Sequence, residues 1–197
     1  MAPVTDAPPT ANSTANSTAN STDDTEAGTG RPALLDHPSV ARVRAALSSA
    51  GVTGEVVVLD DAARTAAQAA AALGTSVAAI ANSLVFVATT TDATRIPLLV
   101  LASGGHRVDT DHVAEVAGYA SIGKADAEFV RATTGFAIGG VAPVGHASAV
   151  TTLVDASLAD HETVWAAAGH PHTVFPTTHD DLVRITGGRS VTVRPPA

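Results

Sequence analysis

A mixed α/β (α+β) domain, one sheet with helices packed over it, is what this sequence predicts, and three observations predict it. β-branched apolar runs of strand length come in groups with helical segments interspersed, without the regular alternation of a doubly wound sheet. The 197 residues suffice for one sizeable core and fall short of two ordinary domains. Composition also changes sharply near residue 33. Upstream, the chain is rich in Thr, Ala, Ser, Asn, Pro and Gly, with an Ala-Asn-Ser-Thr tetrad repeated from Ala11 to Thr22, and such a segment buries too little apolar surface to offset its ordering entropy. Residues 1–32 are therefore expected to be a disordered tail and 33–197 the domain. The Asn-Ser-Thr units match the glycosylation pattern, a coincidence in a chain without a secretion signal.

Each element follows from a local signal. Pro38 suits a first helical turn, and Val40, Val43, Ala46, Leu47 and Ala50 recur at helical spacing before Gly51. Residues 55–59 read as a strand. Thr65 and Gln68 have capping-box spacing and open an alanine-rich helix that stops at Leu73 and Gly74, with a second short helix over 76–80. The runs 83–88 and 96–102 flank a polar turn and make the clearest hairpin in the sequence. Asp109 or Thr110 caps a helix to Ala117, and Asp126 starts another that ends at Thr134 and Gly135. Residues 135–146 form a loop rich in glycine. Short strands are expected over 150–154, 164–168 and 172–175, then a helix capped by Thr178 and closed by Gly187 and Gly188, then a strand over 190–193.

Composition excludes several classes of function. Cysteine is absent, which removes disulfides, thiolate metal sites and cysteine nucleophiles together. No run approaches the roughly 18–20 apolar residues of a membrane helix, so a cytoplasmic protein without membrane association is the expectation. The formal charge is −8; Asp6, Asp23, Asp24 and Glu26 against Arg31 place −3 on the first 32 residues and leave −5 on the domain. An acidic surface does not bind nucleic acid non-specifically, because that affinity comes from Lys and Arg releasing counterions. Four Phe, one Trp and one Tyr provide no aromatic platform for stacking bases. No Gly-x-Ser-x-Gly elbow, Walker loop or dinucleotide fingerprint is present, and Ser103-Gly-Gly105 is a turn with no helix directly after it to hold a phosphate. His170 and His172 share a face of an extended chain but lack a third spaced ligand, so no metal and no cofactor is expected. Asp60 and Asp61 face opposite ways and suit a cap or turn better than an acid–base pair.

The segments Ile80-Ala-Asn-Ser-Leu-Val-Phe86, Leu99-Val-Leu-Ala-Ser-Gly104 with Arg107-Val-Asp109, Ala125-Asp126, Gly139-Gly-Val-Ala-Pro143-Val-Gly145-His146 and Val164-Trp-Ala-Ala-Ala-Gly169 resemble, in order, the YbaK/ProX family of aminoacyl-tRNA deacylases. His37-Pro38, Arg64-Thr65-Ala66 and Thr186-Gly187 extend the resemblance over 36–194. It implies a compact, barrel-like mixed sheet of about six to seven strands surrounded by helices. It also implies hydrolysis of a small wrong amino acid from tRNA, commonly tRNA-Pro; the partners to expect are the tRNA acceptor end and an aminoacyl-tRNA synthetase.

The chemistry asks little of side chains. An aminoacyl ester is already activated, so water attacks directly if the carbonyl is oriented and its developing oxyanion receives hydrogen bonds. Gly139, Gly140 and Pro143 have the Gly-x-x-x-Pro form that the resemblance assigns to catalysis; by themselves they also read as a surface turn. Asn82 and Ser83 are the substrate-binding candidates on the facing segment. Asn82 departs from the family, whose members usually carry there a lysine that contacts the tRNA terminus or substrate and supports catalysis. An amide hydrogen-bonds but carries no charge, which leaves a non-catalytic tRNA- or synthetase-binding module as the alternative. His146 reads equally as a group meeting the ester or 2′-hydroxyl and as a loop histidine bonded to backbone. Lys124, the only lysine, reads as a solvated charge before a helix.

Overall fold

The two runs read as a hairpin pair along their whole length and extend beyond it, β2 over Ile80–Thr89 and β3 over Arg95–Ser103. The structure, a computed structural model, describes residues 30–195, so the tail lies outside the described residues as far as residue 29. A short helix, α1 (Arg31–Leu35), begins just before the domain start read from composition. It is followed by α2 (Pro38–Ser49) and β1, which shrinks from the five residues expected to Val57–Val58. Helix α3 (Ala66–Leu73) carries the capping box: Thr65 Oγ1 accepts from Gln68 N at 3.2 Å while Gln68 Oε1 accepts from Thr65 N at 3.1 Å. The segment expected to be a second short helix is one 3₁₀ turn, Val77–Ala79.

After the hairpin come α4 (Thr110–Ala117), β4 (Ser121–Lys124), α5 (Ala127–Thr134), β5 (Thr151–Asp155), β6 (Val164–Ala167), β7 (Thr173–Thr177), α6 (His179–Thr186) and β8 (Arg189–Val191). Asp109 and Asp126 cap α4 and α5 with their carboxylates, as their positions predict. Strand β4 carried no readable signal: Ser-Ile-Gly-Lys is short and barely apolar, and it is a strand because β2 offers it an edge.

The sheet is mixed, in the order β1-β7-β6-β2-β3-β5-β8, with β4 as a branch on β2. It has eight strands where about six to seven are expected, and its path ends at β1 and β8 without closing. The hairpin β2–β3 and the β6–β7 pair are antiparallel; β6 joins β2, β5 joins β3 and β8 joins β5 in parallel. Strand β3 is apolar on both faces because both are covered. Leu99 and Leu101 enter the main core with Val43 and Leu47 of α2, Phe136, Phe175 and Leu182. Leu98, Val100 and Ala102 enter a second core with Val113, Leu153 and Val193. Each fully buried Leu or Phe contributes roughly 1.5–3 kcal/mol of apolar transfer.

One buried carboxylate ties this centre together. Asp155 accepts from Ser103 N at 3.0 Å, Ser157 N at 3.1 Å and His106 Nε2 at 2.6 Å. Ser103 Oγ in turn donates to Ala78 O at 2.8 Å. The Ser103-Gly-Gly105 turn is thereby occupied with holding β3 against the 3₁₀ turn.

Candidate active site

Strand β2 changes partners along one edge. There it pairs with β6 only at Ile80 and Ala81, and with β4 only from Phe86 onward. Between them, residues 82–85 have no strand partner on that edge among the described residues. The Ile80 carbonyl accepts from Gly104 N at 2.8 Å, on the β3 side. Alternation along an antiparallel ladder then turns the backbone of Asn82 and Leu84 toward β3 and that of Ser83 toward the open edge.

The side chains follow the period of two. Ala81 and Val85 enter the main core with Val141, so Ser83 between them faces the same way, toward the glycine loop. Its hydroxyl oxygen is buried and has no hydrogen-bond partner among the described residues. Buried hydroxyls are rarely left unpaired, because desolvation without compensation is unfavourable. Ser157 Oγ and Thr177 Oγ1 are likewise unpartnered, and of the three only Ser83 lines the cleft, where its hydroxyl can bond a ligand.

Two adjoining chambers open at this gap. The first, about 270 Å³, is lined by Arg64, Thr65, Asn82, Ser83, Ile138, Gly139 and Trp165, with a floor of Ala66, Ala69 and Ala166. The second, about 210 Å³, runs along β2 past Leu84, Val85 and Phe86 to Lys124, Ala125 and Val130. Ser83, Leu84, Ile138, Gly139 and Val141 belong to both and form the wall between them. A larger concavity of about 720 Å³ lies elsewhere, between the end of α2 and residues 51–56, where Arg44, Ser48, Thr53 and Glu55 are the polar side chains, and it holds none of the site residues singled out from the sequence.

The loop that closes the cleft is held from behind. Gly139 has φ +88°, a backbone conformation natural to glycine, and a Cβ there would find only Arg64 Cγ at 3.9 Å. Gly140 is different: its Cβ would stand 3.1–3.3 Å from the backbone of His170, so the loop seats on the turn between β6 and β7. The Gly140 N–H is committed to Ala137 O at 3.0 Å. The amides of Gly139 and Val141 donate to no described acceptor.

The six residues read from the sequence therefore separate into two groups. Asn82, Ser83 and Gly139 line the cleft. Gly140 lies buried behind it, and Pro143 and His146 open onto a separate concavity beside Ala46 and Ile185. His146 Nε2 donates to Ala142 O at 2.8 Å, and its ring meets the edge of Phe136 at 6.0 Å. Burial pushes its imidazole below the ordinary value; the Ala142 carbonyl opposes that shift and the nearby Arg42 cation adds to it. Arg42 lies over the Phe136 ring at 5.0 Å and donates to Gly135 O at 3.1 Å, pinning the start of the same loop to α2.

His170 and His172 stack with centroids 5.6 Å apart, and His37 joins at 5.3 Å. No group of metal-binding geometry occurs among the described residues. Arg64, Ile138, Trp165 and Lys124, none of them singled out from the sequence as site residues, also line the two chambers. The sequence marks Trp165 and Lys124 as the only residues of their type, and nothing in it says that they line adjoining chambers.

A small, partly apolar cleft where a few polar groups converge, in a mixed α/β domain, has the form of a ligand-binding site. Residues 60–185 match the aminoacyl-tRNA editing domain family, and the chain belongs to that family. Among solved structures, a candidate trans-editing enzyme for prolyl-tRNA synthetase is 38% identical, with a TM-score of 0.70 over 81% of this chain and 98% of that one. A scaffold protein used for computational epitope grafting is 35% identical, with a TM-score of 0.73 over 81% and 99%. A hypothetical protein is 27% identical, with a TM-score of 0.70 over 77% and 98%. No curated protein matches significantly. Among the described residues no helix is long and apolar enough to cross a membrane.

Proposed function

We propose that the protein is a trans-editing hydrolase that removes a small wrong amino acid from tRNA, with tRNA-Pro as the first candidate. The observation that carries this is the unpartnered, buried Ser83 hydroxyl facing the Gly139 loop across the open edge of β2. Family membership supplies the substrate class, and the similarity to a candidate prolyl-tRNA trans-editing enzyme favours tRNA-Pro. The small chamber volumes favour a small aminoacyl group.

In this reading the aminoacyl ester lies between β2 and the loop. Water adds to the ester carbonyl carbon, the oxyanion accepts from the amides of Gly139 and Val141, and the bond to the ribose oxygen breaks as that oxygen takes up a proton. The acid and the free tRNA hydroxyl leave without a covalent enzyme intermediate. The loop amides are oriented before the substrate arrives, so little reorganisation accompanies the charge. Gly140, Pro143 and His146 hold the loop in shape, and Ser83 and Asn82 hydrogen-bond the substrate. The partner is the acceptor end of the tRNA, with a synthetase as a possible donor of it. No step calls for a metal or cofactor.

The test is a deacylation panel, with enzyme in excess, on tRNA-Pro, tRNA-Ala and tRNA-Cys bearing small wrong amino acids. Hydrolysis above the buffer rate on at least one of them is expected. Acceptor-end binding without hydrolysis on any would assign the non-catalytic module instead, in keeping with the neutral Asn82.

A further inference from the structure

Asn82 leaves the first chamber with no charge on β2, and the strand pairing brings one in from the side. Lys124 ends β4 directly opposite Phe86. It lines the second chamber with Ser83, Leu84, Ile138 and Gly139, the residues of the shared wall. It stands four residues along β2 from Asn82, roughly 13 Å at the rise of a strand.

The side chain is uncommitted. It is exposed and forms no ion pair among the described residues. The acidic group closest in sequence, Asp126, is occupied in capping α5, accepting from Phe129 N at 2.8 Å. Arg64 lines the first chamber, its Cγ 3.9 Å from where a Gly139 Cβ would stand. One cation thus lines each chamber in a chain whose formal charge is −8, where an unpaired cation is a distinctive landmark for an anion.

We propose that Lys124 is the phosphate-binding residue of this cleft, taking the phosphodiester that precedes the terminal nucleotide of the tRNA. The inference rests on the editing reading above and adds the site of the acceptor-end charge. It also gives Asn82 a physical rationale. With the cation on β4, strand β2 itself presents a neutral amide to the substrate's α-ammonium, which a lysine at that position would repel. One lysine serves the phosphate and an amide serves the amino group, in separate chambers.

The experiment compares wild type, Lys124→Met and Lys124→Arg with a mischarged tRNA that the wild type hydrolyses, together with binding of an uncharged acceptor minihelix followed by fluorescence of Trp165, the only tryptophan. For Lys124→Met, KM and minihelix Kd should rise about tenfold or more with kcat within twofold, the usual worth of a charge-assisted contact. The slope of log affinity against log salt should become shallower by roughly 0.7, the value for one phosphate on a single strand. Lys124→Arg should retain most of both. Because Lys124 is the sole lysine, tRNA with a periodate-oxidised 3′ end and a borohydride trap should label the peptide that contains it, and high salt should suppress the label.

Wild-type hydrolysis with Lys124→Met unchanged in KM and in salt slope, and no labelled Lys124 peptide, overturns the assignment while leaving the editing reading in place. A wild type that neither hydrolyses nor binds any acceptor end overturns both.

Discussion

Replacing Ser83 with Ala separates stability from function, because the hydroxyl has no partner in the free protein. An unsatisfied buried polar group costs about 1–3 kcal/mol, and removing it recovers part of that. The alanine methyl fills the same space against Val85 and Val141 without creating a cavity. If a buried water satisfies the oxygen, the gain falls toward zero. The expected change in stability therefore runs from zero to about +1 kcal/mol, which for a domain of this size is an increase in Tm of up to roughly 4 °C. Function should move the opposite way: losing a hydrogen bond to the bound ester lowers kcat/KM by about 1–1.5 kcal/mol, or roughly tenfold. Thermal unfolding and single-turnover deacylation of the same preparation read both. A fall in Tm of more than about 2 °C would mean the hydroxyl is satisfied within the protein, and unaltered deacylation at higher stability would remove Ser83 from the site.

Three further outcomes follow from the same geometry. Gly140→Ala drives a Cβ into the His170 backbone at 3.1 Å, an overpacking worth about 1–3 kcal/mol. Its Tm should fall and its deacylation should fail together, whereas an undisturbed Tm would show that the loop does not seat on that turn. Burial holds the folded-state pKa of His146 below the unfolded 6.5, so the unfolded chain binds more protons as pH falls below that value. The stability this histidine contributes is present above pH 6.5 and lost progressively below it. His146→Asn should flatten the fall of Tm between neutral and mildly acidic pH, and an identical pH profile would refute the linkage. Ile138 is 63% exposed and walls both chambers. Ile138→Ala should leave stability within about 0.5 kcal/mol while relaxing selectivity toward larger aminoacyl groups in the deacylation panel; unchanged selectivity would place the size filter elsewhere.

Much of this protein is written in local signals that need no tertiary information. The capping box at Thr65 and the Asp109 and Asp126 caps act within one turn of chain, and the β2–β3 hairpin joins two apolar runs by a short polar turn, so each was readable where it stands. The Asn82–Ser83 segment and the glycine loop were equally legible, through the order of motifs that marks the aminoacyl-tRNA editing family.

What the tertiary structure alone decided is which of those pieces meet. Ser-Ile-Gly-Lys at 121–124 has no strand signal of its own, and only the free edge of β2 makes it β4 and sets Lys124 at the cleft. The same edge, unpaired between β6 and β4, opens the gap that Ser83 faces. Gly139 and Gly140 look alike in sequence, yet one answers to backbone conformation and the other to a neighbour thirty residues away. His146, four residues past Ala142, bonds that carbonyl and turns away from the cleft. Local propensity acts over a few residues, whereas strand partnership, burial and the convergence of side chains depend on segments distant in the chain, whose meeting no single stretch of sequence encodes.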